Sequence, residues 1–159
     1  MSFAPHRLRR GEWLAGLGAV VLLLSMFLLT WYGPTGTLSP TASLSPSANG
    51  WQALTTARWV MLITIVLALA LAYLQGARRS PAVPVSLSVF VTVFALITVL
   101  TLIDRVLIDP PGGDLAEAKA GAYIGLLSAV VMLVGGFFSM RDEGIHHHDA
   151  PQKIEKLRV

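Results

Sequence analysis

The sequence contains no cysteine among its 159 residues, and it has few charged residues of either sign. The lack of cysteine excludes a disulfide framework and zinc sites that are built on thiolates. Charged residues make up 13% of the chain, whereas soluble domains carry about 25%. So few charges cannot cover a water-facing surface, and the length of the chain allows one compact domain.

Charge is missing above all from four long windows, which are residues 13–57, 59–77, 80–103 and 120–140. A helix that crosses a bilayer needs about 20 mostly apolar residues, and each window contains a segment of that length. In lipid, such a segment satisfies its backbone hydrogen bonds only as a helix. We therefore predict an all-α fold, an integral membrane four-helix bundle. The predicted helices cover about residues 13–32, 57–75, 85–105 and 118–140.

This bundle, residues 13–140, lies between a short N-terminus (1–12) and a charged tail (141–159). Basic residues precede the first helix, as they do in a signal peptide. The apolar run is longer than the usual 7–15 residues, however, and it ends in Trp31 and Tyr32 rather than in a cleavage site of small residues. We interpret it as a helix that the mature protein keeps.

Two outer loops are predicted, at residues 33–56 and 106–117. The first is polar and uncharged and contains two copies of a six-residue Leu-Ser-Pro repeat, a composition typical of a linker. Near its end, Asn49 and Gly50 predict the start of a helix. In the second loop, the spacing of Asp114 and Glu117 predicts a capping box for the fourth helix.

The basic residues predict the orientation of the chain. With both termini in the cytoplasm, nine of the twelve Lys and Arg residues lie inside, and only Arg58, Arg105 and Lys119 lie outside. This bias predicts an N-in, C-in protein of the bacterial cytoplasmic membrane. Because the basic residues flank the helices, we attribute the net charge of +3 to topology and expect the lipid bilayer, and no nucleic acid, as a partner.

Aromatic residues mark the ends of the first outer loop. Trp31, Tyr32 and Trp51 are predicted at the outer membrane interface, where such rings are enriched. The element Asn49–Leu54, which reads Asn-Gly-Trp-Gln-Ala-Leu, together with the Gly-Gly pair at 135–136, resembles uncharacterised small four-span membrane proteins of high-GC actinobacteria. In those proteins an outer loop ends in a W-[EQ]-A-[LF] element. The resemblance implies a four-span topology but no activity, substrate or cofactor.

Small residues predict how the helices pack, because close approach replaces the hydrophobic effect between helices in lipid. They form stripes on the first helix (Gly11, Ala15, Gly18) and on the fourth (Gly121, Gly125, Ala129, Gly136). The G-x-x-x-G at 121–125 serves either packing within the chain or a homodimer. We favour packing within the chain, since one bundle uses all the stripes.

Four charged residues lie at the outer ends of the second and third helices, and they are Arg58, Asp104, Arg105 and Asp109. Arg105 and Asp109 are four apart and are expected to pair on one helix face. One hypothesis is a polar outer site that binds a lipid headgroup or a partner. The alternative, which we favour, is snorkelling and surface pairing.

The tail carries three consecutive histidines, His146, His147 and His148. Adjacent imidazoles cannot all turn toward one ion on a short rigid element, and no second set of residues would orient them. We interpret the run as a solvated tail and treat a metal site there as the weaker alternative.

No set of residues for catalysis is evident, and no titratable side chain occupies the middle of a predicted helix. We therefore predict a non-enzymatic protein without a cofactor, a scaffold or accessory subunit that acts by packing against a partner membrane protein or against itself. The alternative is a small transporter or channel component. Its path would be lined by hydroxyl groups, those of Thr92, Thr98, Thr101 and Ser128.

Overall fold

Four long helices form the body of the protein in a computed structural model, which describes residues 9–34, 47–77, 84–111 and 116–144. All four are long and apolar enough to cross a membrane, which confirms the number of apolar helices that the sequence predicts. Their bounds are α1 (Arg10–Leu28), α3 (Ala57–Ala77), α4 (Pro84–Ile103) and α5 (Ala120–Gly144).

The four helices form a closed ring, in which α1 and α4 each pack against both α3 and α5. Alternate helices of the ring face each other across a core of fully buried side chains such as Leu22, Met61 and Met132. The outward faces are also apolar and include large exposed residues on every helix. Examples are Leu17, Leu28, Val66, Phe90, Leu100, Leu127 and Phe137.

A small antiparallel sheet lies at one end of the bundle, which we call the sheet end. It has the order β2-β1-β3 and consists of β1 (Thr30–Pro34), β2 (Ala48–Asn49) and β3 (Ala116–Ala118). Tyr32 of β1 lies opposite Ala48 of β2 and opposite Ala118 of β3. A short helix, α2 (Gly50–Ala53), follows β2. The fold is mostly helical, as the sequence predicts, and this small sheet, which the sequence did not predict, brings both predicted outer loops together.

Three predicted boundaries differ in the structure. The first helix ends at Leu28 rather than at residue 32, because Leu29 adopts extended backbone and leads into β1. Glu117 lies in β3 and not in a capping box, and α5 begins at Ala120. The second outer loop is shorter than predicted, because α4 continues as a π-helical turn from Asp104 to Ile108.

Side chains from the sheet end cap the last turn of α1. The final carbonyls of a helix have few partners within the helix and gain donors from elsewhere; that of Ser25 accepts from the Leu29 N–H as well. The Trp31 ring donates its Nε1 hydrogen to the carbonyl of Ser25 at 2.8 Å, and Asn49 donates its side-chain amide to the carbonyl of Phe27 at 3.2 Å. Asn49 also caps α2 by accepting from the backbone of Gln52 at 2.9 Å, which confirms the helix start predicted at this residue.

The π-helical turn leaves a carbonyl that Tyr32 satisfies. In this turn the backbone N–H of Asp109 bonds five residues back, to the carbonyl of Asp104 at 2.7 Å. The same spacing from Arg105 leads to Pro110, which has no N–H to donate. The Tyr32 hydroxyl donates to the Arg105 carbonyl instead, at 2.9 Å. One buried phenol thus joins β1 to the end of α4, and its burial, opposed by the Arg105 charge, raises the pKa of Tyr32 to about 12.

We expect Tyr32→Phe to lower the free energy of unfolding by about 1 kcal/mol, since the Arg105 carbonyl loses its donor. The raised pKa adds a dependence on pH. Because the folded state holds the phenol neutral, the stabilisation by Tyr32 is complete below pH 10 and declines as the pH rises toward about 12. Denaturant titrations of both proteins across this range measure the effect. The expectation fails if the difference between them does not change above pH 10.

Candidate functional site

A buried tryptophan occupies a slot lined by glycine at the sheet end. Trp31 has no exposed surface, and its ring lies against Gly50 of α2 and against Gly121 and Gly125 of α5. A Cβ on Gly50 would lie 2.7 Å from the ring, and one on Gly121 would lie 2.9 Å from it. The G-x-x-x-G at 121–125 therefore packs against β1 of its own chain, and the face that a homodimer would need is occupied there.

The remaining small residues lie between helices. Ala129 is fully buried in the core, and Gly136 lies against Thr92 of α4. At the opposite end of the bundle, the backbones of α1 and α5 touch. A Cβ on Gly11 would lie 2.7 Å from the Gly135 carbonyl oxygen, and a Cβ on Gly135 would meet the Gly11 carbonyl oxygen at the same distance.

The four charged candidates at the sheet end fall into two separate groups. Arg105 forms ion pairs with Asp109 at 3.2 Å and with Asp104 at 3.6 Å, so the pairing predicted from the four-residue spacing is present. All three side chains are well exposed to solvent, and exposed pairs of this kind contribute about 0–1 kcal/mol. The charge of Arg105 is thus already balanced by its two neighbours.

Arg58 has an aromatic environment instead. Its guanidinium carbon lies 5.0 Å from the centroid of the Trp51 ring and 5.6 Å from that of Trp59. The two tryptophans meet edge to face at 5.6 Å, and Phe27 of α1 stacks on Trp51 at 5.3 Å. Among the described residues Arg58 makes no ion pair, and its buried Nε has no hydrogen-bond acceptor. We call Arg58, Trp51 and Trp59 the arginine cradle.

A cavity of about 210 Å³ lies between the α2–α3 turn and the end of α4. Leu54, Thr55 and Thr56 line one side of it, and Arg105 and Pro111 line the other. It offers backbone groups and hydroxyls together with a guanidinium that is already paired. This cavity can hold water or a small polar molecule, and it contains no set of groups for acid–base chemistry.

The hydroxyl groups of the predicted path lie in different helix contacts. Thr98 of α4 faces Thr64 of α3, with 2.7 Å between the two oxygens. Thr92 lies against Gly136 of α5, and the Ser128 segment of α5 lies against Gly18 of α1. The hydroxyls of Thr92, Thr101 and Ser128 each donate to a carbonyl one turn back in their own helix. Of Thr64 and Thr98, one donates to the other, and the second donates to a carbonyl of its own helix. They serve as local bonds and as links between helices and do not line one cavity together.

The Thr64–Thr98 bond is a polar link inside an apolar core, since both side chains are fully buried. We expect Thr98→Val to lower the stability of the bundle by about 0.6–1.7 kcal/mol, the range for hydrogen bonds between helices in lipid. Thr101→Val is the matched control, because that hydroxyl bonds only its own helix. Thermal unfolding in detergent compares the two, and equal losses would contradict the expectation.

One buried charge was not predicted from the sequence. Glu12 lies in the first turn of α1 with 3% of its surface exposed, and it accepts a hydrogen bond from the backbone N–H of Arg9 at 3.1 Å. This position suits a carboxylate, because the start of a helix carries partial positive charge. The sequence feature that indicates such a role is a glutamate at the beginning of an apolar segment, where helix caps commonly occur.

The histidine run His146–His148 lies outside the described residues. Within the described part of the chain, no cluster of three His, Cys, Asp or Glu side chains could hold a metal ion.

No protein-family model, no curated protein and no solved structure matches this chain. The resemblance to small four-span actinobacterial proteins therefore stays a prediction. The structure does give a physical role to the residues that carry it. Asn49 caps two helices, Gly50 admits the Trp31 ring, Trp51 holds Arg58, and Leu54 is buried in the core.

Proposed function

We propose that this chain is a multi-pass protein of the bacterial cytoplasmic membrane, with both termini inside, that serves as a non-enzymatic scaffold or accessory subunit. The observation that carries the proposal is the outward surface of the bundle. Large apolar side chains cover the outer faces of all four helices. Soluble proteins rarely expose continuous apolar patches larger than a few hundred Å², so this surface fits lipid and the helices of a partner.

A rigid bundle suits such a role. Glycines bring α5 close to α1 and to α4, and a sheet covers one end, so the surface offered to a partner helix is preformed. Two shallow apolar grooves run along it, one between α1 and α5 beside Leu17 and Leu127 and one between α1 and α3 beside Val20 and Ala72. In lipid, helices associate by packing of this kind.

The proposed orientation has a direct test, because the chain has no cysteine of its own. Asp109→Cys places a single thiol at the sheet end, and Arg141→Cys places one at the opposite end; both positions are exposed. In intact cells we expect a membrane-impermeant maleimide to label only the first variant. Labelling of only the Arg141→Cys variant would reverse the proposed orientation. Recovery of the protein in the soluble fraction without detergent would refute membrane insertion.

The proposed partner is tested with photo-crosslinking residues in native membranes. A crosslinker at Leu127, which is 65% exposed, samples the groove between α1 and α5, and one at Phe90, which is 55% exposed, samples the outer face of α4. Leu22, fully buried, is the control and is expected to crosslink only within the chain. A defined protein adduct from an outer position supports the scaffold role. Adducts with lipid alone from both outer positions would argue against it.

A further inference from the structure

The arginine cradle holds a positive charge for which the described part of the chain provides no counter-ion. Arg58 makes no ion pair there, whereas Arg105 at the same end has two carboxylates. Its Nε is buried without an acceptor, and a buried donor without a partner costs about 1–3 kcal/mol. An anion from outside the chain, placed beside the guanidinium, would balance this charge.

The cradle presents the guanidinium in a fixed orientation. Two indole rings contact Arg58, Phe27 stacks on Trp51, and α3 begins one residue before Arg58. Rings that hold the flat guanidinium restrict its motion, so less entropy is lost when it binds. Its free N–H groups match the paired oxygens of a phosphate in a bidentate arrangement.

The position of the cradle indicates the source of the phosphate. Trp59 and Phe27 are about half exposed on the outside of the bundle, just where the apolar lengths of α1 and α3 end at the sheet end. Tryptophan side chains favour this depth, at the level of the lipid headgroups. A phosphodiester therefore lies within reach of Arg58 once the bundle is in a bilayer.

We propose that Arg58, Trp51 and Trp59 form a binding site for the phosphodiester of an anionic phospholipid in the leaflet at the sheet end. This site rests on the membrane location proposed above. Phosphatidylglycerol supplies the oxyanion without a competing cation, whereas phosphatidylcholine carries its own ammonium. The site consequently binds anionic lipid more tightly than zwitterionic lipid.

The test is a titration of the detergent-solubilised protein with phosphatidylglycerol, with bound lipid counted by native mass spectrometry. Arg58→Gln is expected to weaken binding about tenfold or more, as loss of a charge-assisted hydrogen bond does. Arg105→Gln is the matched control. It removes one positive charge from the same end, but one that is already balanced, and it is expected to leave binding unchanged. Arg58→Lys keeps the positive charge but lacks the planar guanidinium that binds two oxygens at once, and it is expected to bind with intermediate affinity.

Equal affinity of the wild-type protein and Arg58→Gln for phosphatidylglycerol would overturn the site, as would equal losses in Arg58→Gln and Arg105→Gln. Inorganic phosphate at millimolar concentration is the second probe; binding of free phosphate without any binding of lipid would overturn the lipid assignment. If Arg58→Gln does not fold, Arg58→Lys alone decides, and wild-type affinity in that variant counts against the site. Release of the protein from membranes without detergent would refute the membrane location. Unchanged binding of phosphatidylglycerol by Arg58→Gln would refute this site only.

Discussion

Replacement of Gly135 by valine is expected to lower the free energy of unfolding by about 3 kcal/mol or more, at the upper end of the range for overpacked cores. A Cβ at this position would lie 2.7 Å from the Gly11 carbonyl oxygen and 2.9 Å from the Cα of Ala15. These are backbone atoms of α1, which cannot rotate away as a side chain can. The two helices must therefore separate along their contact. Thermal or denaturant unfolding in detergent, followed by tryptophan fluorescence, measures the loss.

The matched control is Gly16→Ala on the neighbouring face of α1. Its new Cβ would meet only the Cβ of Ala72, at 3.3 Å, and alanine favours a helix over glycine by about 1 kcal/mol. We expect its stability to be close to that of the wild-type protein. If Gly135→Val unfolds at the same midpoint as Gly16→Ala, the backbone contact between α1 and α5 is not tight.

Trp31→Ala is expected to cost about 3–5 kcal/mol, the range for removal of a large buried aromatic side chain. The variant empties the slot between α2 and α5 and removes the Nε1 bond to Ser25. Because the same ring separates Gly50 from Gly121 and Gly125, the sheet end is expected to loosen as a unit. Faster hydrogen exchange in β1 and α2 measures that loosening, beside the loss of global stability.

Two variants separate the packing of this ring from its hydrogen bond. Trp31→Phe keeps most of the ring and loses the donor, and it is expected to cost less than Trp31→Ala, since the Ser25 carbonyl still accepts from the Leu29 N–H. Trp13→Ala removes an indole that is 53% exposed and is expected to have a small effect. Equal costs for Trp13→Ala and Trp31→Ala would show that burial of Trp31 is unimportant.

The aromatic residues show that burial of a side chain is not always predictable from the sequence. Trp31, Tyr32 and Trp51 all lie beside long apolar segments, so their rings were predicted at the membrane interface. Trp51 is half-buried against Arg58, but Trp31 and Tyr32 lie inside the protein. The burial of Trp31 depends on glycines 19 and more residues away along the chain. No local pattern around Trp31 identifies a slot that distant segments build together.

The charged residues divide in the same way. The pairing of Arg105 with Asp109 follows from their spacing on one helix, and it is present. The separate environment of Arg58 depends on the meeting of α1, α2 and α3, which brings Phe27, Trp51 and Trp59 around it. A list of charged residues at one end could not distinguish a balanced arginine from one that has no counter-ion among the described residues.

The sequence by itself determined four long apolar helices, because length and hydropathy are local properties and lipid leaves such segments no other regular structure. The tertiary structure decided the three-stranded sheet, the π-helical turn and the burial of Trp31 and Tyr32. At the sheet end, Tyr32 donates to the Arg105 carbonyl and Asn49 donates to the Phe27 carbonyl, so these helix ends obtain donors from distant parts of the chain. Proximity in space determines these hydrogen-bond partners, and the order of residues along the chain does not reveal them.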